Sequence, residues 1–144
     1  MVDPFNLRRF VEAQDPVYER VLSELRHGRK TSHWMWFVFP QIAGLGVSDM
    51  ARRFSISSLD EAKAYLSHSV LGRRLAECTS LVLATEGKTI HEILGSPDDI
   101  KFRSCMTLFG RAAADSDFFE KALKKYFSGE PDALTLVRIR ELGS

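Results

Sequence analysis

The sequence predicts an all-α fold, a compact single-domain bundle of eight or nine short to medium helices covering residues 1–144. Three observations predict it. Capping residues recur just ahead of apolar stretches, apolar residues return every three or four positions, and no run alternates apolar and polar side chains as a half-buried strand would. The size fits: 144 residues, 44% hydrophobic and 27% charged, are ordinary for one soluble domain. A chain of this length buries on the order of 70% of its extended surface, enough for a core without metal or disulfide support. Intrinsic disorder is excluded on the same grounds.

The elements follow in order. Asp3-Pro4 and Asp15-Pro16 each set a capping carboxylate before a proline suited to a first helical turn. The second of these helices carries Val17, Val21 and Leu25, with Leu22 widening the stripe, and ends at Gly28, a candidate left-handed terminator. Trp34 to Phe39 is an apolar run of six; with Ser32 ahead of it and Pro40 behind, a short helix is expected rather than a strand without a partner. Gln41 to Val47 is the most irregular connection, after which Ser48 caps a short helix holding Arg52 and Arg53. Ser58…Glu61 and Thr89…Glu92 have the spacing of capping boxes.

Val70, Leu71, Leu75, Cys78, Leu81, Val82 and Leu83 make the stretch up to Gly87 the candidate central helix. Ser96-Pro97-Asp98-Asp99 opens another helix, with acids in its first turn and Ile100, Cys105, Met106, Leu108 and Phe109 beyond. Phe118, Phe119, Ala122, Leu123, Tyr126 and Phe127 form a stripe ending near Gly129, and Pro131 begins a last helix bearing Leu134, Val137, Ile139 and Leu142.

Twenty Lys and Arg against nineteen Asp and Glu leave a net charge of +1, but the halves differ. Residues 1–74 hold 11 basic and 8 acidic side chains, +3, and residues 75–144 hold 9 and 11, −2. Between Arg26 and Arg53 lie five cations (Arg26, Arg29, Lys30, Arg52, Arg53), His27, His33 and the single acid Asp49, so this segment attracts anions although the whole molecule does not. So balanced a total gives nucleic acid little sequence-independent affinity, and nucleic-acid binding is disfavoured. No apolar run approaches the ~20 residues of a spanning helix, and no basic, apolar presequence stands at the front, so neither a membrane segment nor a targeting peptide is expected. Cys78 and Cys105 stand apart with no CxxC pair, which suits a reduced, cytoplasmic setting. The histidines at 27, 33, 68 and 91 lack ligand spacing, so no metal or cofactor is expected, and no GxSxG elbow is present.

The unusual residues concentrate between Gly28 and Arg53. Arg29, Lys30, Arg52 and Arg53 can hold phosphate or carboxylate oxygens, and His33 can move a proton near neutral pH. Trp34 and Trp36, the two tryptophans of the chain, lie about 200° apart on a helix, so one can face the core and the other a groove. Gly44 and Gly46 form a turn before the capped helix at Ser48, whose free N–H groups could face the same anion. The spacing is not that of a Walker loop.

Asp3 to Gln14, Ser32 to Gln41 (SHWMWFVFPQ), Gly44-Leu-Gly46, Ser58 to Ala62, Ser96 to Lys101 and Ser104 to Phe109 together resemble the bacterial domain of unknown function 1810 family over roughly residues 3–142. That resemblance implies a multihelical fold and no established activity. Some members carry a calpastatin label; calpastatin proper is disordered, and this helix-patterned chain does not resemble it. The shared motifs point to Ser32, His33, Trp34, Trp36, Pro40 and Gln41, joined by Lys101, Ser104 and Thr107 from a second segment. The leading expectation is a groove that binds an anionic or nucleotide-like small molecule. The alternatives are an interaction module, monomer or homodimer, using the aromatic surface, and a hydrolase acting on a phosphorylated or ADP-ribose-like substrate with His33 as acid or base beside Asp98 or Asp99.

Overall fold

A computed structural model describes residues 2–143, and its described residues form ten helices. They are α1 (Arg8–Gln14), α2 (Tyr18–Arg26), α3 (Met35–Val38), α4 (Asp49–Arg53), α5 (Leu59–Ser67), α6 (Leu71–Ala84), α7 (Ile90–Leu94), α8 (Asp98–Ala112), α9 (Asp117–Phe127) and α10 (Ala133–Leu142). The class is as expected, and the number exceeds eight or nine because α3, α4 and α7, of four or five residues, each stand as a separate turn. The described residues contain no strand; one isolated parallel bridge pairs Ile42 with Ile56. No described helix is long and apolar enough to cross a membrane.

Several local signals act as read. Gly28, at φ +68°, closes α2: its N–H reaches Leu25 O at 3.0 Å while Arg29 N–H reaches Glu24 O at 3.0 Å, the paired bonds of a Schellman end. Thr89 and Glu92 complete a reciprocal capping box on α7, and Ser48 Oγ accepts the Ala51 N–H at 3.1 Å to start α4.

Others are displaced. Residues 4 and 5 form a turn and Asn6 sits at φ 51°, so α1 begins at Arg8; Asp3 still caps it from a distance, accepting the Leu7 N–H at 2.8 Å and the Arg8 N–H at 3.0 Å. Asp15 caps nothing on α2 and instead pairs with Arg74 at 2.8 Å. Ser58 keeps its half of a capping box, but Glu61 turns away to Ser57 and to Arg9 at 2.9 Å. Pro97 precedes α8 rather than opening it, and α10 is capped by Asp132, not begun at Pro131.

The central helix is α8, not α6. Phe102, Cys105, Met106, Leu108 and Phe109 have essentially no exposed surface, and α5, α7, α9 and α10 pack around the helix. A helix buried nearly all round loses the one-sided stripe that marks α6. Its Ser104 and Thr107 satisfy their hydroxyls on their own backbone, at Ile100 O (3.2 Å) and Arg103 O (2.9 Å), and so read as polar in sequence although buried. The stripe expected on α10 is the other departure. Leu134, Val137 and Leu142 are exposed, and Thr135 is the buried residue of that helix.

Candidate functional site

The segment from Arg29 to Gln41 is organised from below by Glu24. This carboxylate on α2 is buried and accepts the Thr31 N–H (2.8 Å), the Ser32 N–H (3.0 Å), the Ser32 hydroxyl (2.5 Å) and the Trp34 indole N–H (3.0 Å). Burial pushes its pKa up, but those four donors outweigh burial and hold it at about 2. Ser32 and Trp34 therefore serve the backbone turn that carries the chain from α2 into α3. Trp34 is core, with its ring 6.3 Å from that of Phe39.

Trp36 faces the other way and remains half-buried on the wall of a cavity of about 340 Å³. Each tryptophan has a lysine over its ring: Lys30 Nζ lies 5.1 Å from the Trp34 ring centre and Lys101 Nζ lies 5.4 Å from that of Trp36. One carboxylate serves both lysines, because Asp98 at the start of α8 meets Lys30 at 2.8 Å and Lys101 at 3.9 Å. Lys30 is committed to that pair, whereas Lys101 is held loosely and lines the cavity.

The rest of the cavity comes from the irregular connection and α4. Ala43 N–H bonds Ile56 O at 2.8 Å and Ile56 N–H bonds Gln41 O at 2.9 Å, fixing the connection against the chain beyond α4. Arg9 fastens that same chain by donating to Arg53 O (2.9 Å), Ser55 O (2.8 Å) and Glu61. Gln41, Gly44, Gly46, Arg52 and Lys101 line the cavity with Trp36, over an apolar floor that includes Phe39, Ile42 and Phe54. The Arg52 guanidinium is exposed and makes no hydrogen bond or ion pair among the described residues.

Both glycines have packing reasons. A Cβ on Gly46 would meet Ala51 Cβ at 2.5 Å, and one on Gly44, at φ +97°, would run into the Arg138 guanidinium. That arginine, from α10, donates to Ala43 O at 2.9 Å and walls the connection. It was not legible in the sequence, because it lies 95 residues from its acceptor and no local pattern links them.

Of the fourteen residues singled out, six line this cavity: Trp36, Gln41, Gly44, Gly46, Arg52 and Lys101. Lys30, Ser32 and Trp34 form the support beneath it. Arg29 and His33 are exposed and do not line it, and Arg53 lies over the Phe54 ring at 5.1 Å. Ser104 lines an adjoining cleft that shares Gln41 and Gly44 with the first cavity. Thr107 Oγ1 accepts the Asp132 N–H at 2.8 Å and so ties α8 to the start of α10. Of the N–H groups at the start of α4, that of Ala51 is already taken by Ser48. Asp99 is paired to His91 Nδ1 at 3.2 Å and Asp98 to the lysines, and among the described residues the cavity is lined by no carboxylate, histidine or cysteine.

Fold and site together define an all-helical protein, with ten helices among the described residues and a small basic and aromatic cavity beside its central helix. The chain belongs to the family described as protein of unknown function (DUF1810), whose model matches residues 4–139. It is similar to the conserved hypothetical protein Rv1873 from Mycobacterium tuberculosis, whose crystal structure superposes with a TM-score of 0.94 at 55% sequence identity, covering 96% of this chain and 99% of that one. No curated protein matches the chain.

Proposed function

We propose that this protein binds a small anionic, nucleotide-like ligand in the cavity beside α3, with a planar group against Trp36 and an anionic group between Lys101 and Arg52. The observation that carries the reading is the half-buried Trp36 indole with the loosely paired Lys101 over its ring, on a cavity of about 340 Å³ that the unpartnered Arg52 also lines. Small-ligand sites have this size and this mixture of apolar floor and few polar groups. Gln41, half-buried on the wall and with no side-chain bond among the described residues, adds a donor and an acceptor to read a ring edge or a hydroxyl. With no carboxylate, histidine or cysteine on the lining, the cavity suits binding better than acid–base or nucleophilic turnover. The same reading takes residues 1–144 as one domain working in the cytoplasm, supported by the free and buried Cys78 and Cys105.

Ligand-dependent melting and calorimetry with a panel of nucleotides and sugar phosphates test it. A raised Tm with at least one member, lost in Arg52→Ala, is the expected result. No shift across the panel, or a shift that Arg52→Ala and Trp36→Ala both leave intact, sinks the reading. Self-association is a second reading, favoured by Ile100, Leu134 and Val137, which are 58%, 66% and 42% exposed. Most of the aromatic run is buried, so that surface would be aliphatic. Light scattering separates a monomer from a stable dimer.

A further inference from the structure

A second cavity, of about 530 Å³, lies on the other side of α8, between its C-terminal half, α9 and the chain at Gly129–Pro131. Arg111 stands on its α8 wall, and Glu120 and Lys124 on its α9 wall. All three side chains are exposed, and none makes a hydrogen bond or an ion pair among the described residues. Thr107, already satisfied through Arg103 O and Asp132 N–H, fixes the third wall by anchoring the start of α10 to α8.

Gly110 opens onto this space from the interior of α8. Glycine there costs the helix about 1 kcal/mol relative to alanine. The fold supplies no reason for it: the backbone is helical, and a Cβ would meet only Phe119 Cβ at an ordinary 3.5 Å. The glycines of the first cavity are required by close neighbours; this one keeps a space open toward solvent and three unpartnered charges.

We infer that this cavity is a binding site for an acidic amino acid, taken as the free molecule. The charges match group for group. Two cations face two carboxylates, with Arg111 able to grip one of them through two parallel N–H groups, and Glu120 faces the single ammonium. A diacid without the amine leaves Glu120 facing an anion, and a basic amino acid leaves Arg111 and Lys124 facing a cation. Either mismatch costs affinity. The inference is independent of the cavity at Trp36.

Calorimetry and ligand-dependent melting of the full chain, with L-glutamate, L-aspartate, glutarate, succinate and L-lysine at millimolar concentration, test it. An acidic amino acid should raise Tm, while the diacids and lysine give at least tenfold weaker binding. Arg111→Gln and Glu120→Gln should each abolish the shift. Gly110→Ala gives the sharpest contrast: a higher Tm for the free protein, from better helix propensity, together with at least tenfold weaker binding. The inference fails if neither acidic amino acid shifts Tm in the parent protein. It fails equally if diacids bind as well as the amino acids, or if Gly110→Ala stabilises the protein and leaves affinity unchanged.

Discussion

Trp34 and Trp36 are two residues apart, the first at the N-cap of α3 and the second within it, each with a lysine over its ring, yet they belong to different kinds of environment. Trp34 is 1% exposed, and its indole N–H is spent on Glu24. Trp36 is half-buried, its N–H has no partner among the described residues, and its ring borders an open cavity. Aromatic character and a nearby cation are common to both. What separates a structural indole from one available to a ligand is whether its polar edge is already used and whether the space beside it is filled.

The largest effects should come from breaking the Trp34 side. Trp34→Ala should cost about 3–5 kcal/mol in chemical denaturation, the usual range for emptying a large buried aromatic site. Glu24→Ala should cost about 3 kcal/mol, because it strands the buried Trp34 indole N–H and the part-buried N–H groups of Thr31 and Ser32 without their acceptor. Acid should act on the same point. Glu24 is held at about 2 in the fold against an ordinary 4.5, so its contribution is whole above about pH 4.5 and is lost as pH falls toward 2. A pH series of denaturation midpoints should therefore fall less steeply across that window in Glu24→Gln than in the parent.

Gly46→Ala tests the wall of the Trp36 cavity. Its Cβ would press on Ala51, and overpacking of this kind costs about 1–3 kcal/mol; a denaturation midpoint checks it, and the Trp36 cavity should lose ligand along with stability. The smallest stability effect belongs to Trp36→Ala, about 1 kcal/mol for a half-buried residue packed on the edge of the core, while any ligand-induced rise in Tm disappears. If Trp36→Ala proves as destabilising as Trp34→Ala, the distinction between the two indoles is gone.

Local chemistry was legible in the sequence where no distant partner competed for the capping group, as Arg74 does for Asp15 and Arg9 for Glu61, and long-range chemistry was not. The Schellman end at Gly28, the capping box at Thr89 and the cap at Ser48 each depend on residues within five positions, so spacing alone exposes them. The helical geometry expected to set the two tryptophans apart does not apply, because Trp34 is the non-helical N-cap of α3; which one faces inward depends on Glu24, ten residues back and indistinguishable in sequence from any acid on a helix. The ties from Arg9 to Glu61, from Asp98 to Lys30 and from Arg138 to Ala43 were invisible for the same reason: each joins residues far apart in the chain. The choice of α6 over α8 as the central helix failed because a one-sided apolar stripe marks a helix with a broad wet face, and the innermost helix is buried on most sides. Five of the candidate residues were drawn from family motifs rather than chemistry. Gln41 and Lys101 reach the first cavity, Ser32 supports it, Ser104 lines the cleft beside it, and Thr107 stands on the second cavity.

Arg138 closes one further matter, that of timing. The ribosome releases a chain from its N-terminus, so Gln41–Val47 and α4 emerge first, while the guanidinium that walls Ala43 and Gly44 follows 95 residues after its acceptor. Until α10 is free of the exit tunnel the connection has no outer wall, and the first cavity waits on that helix for its shape.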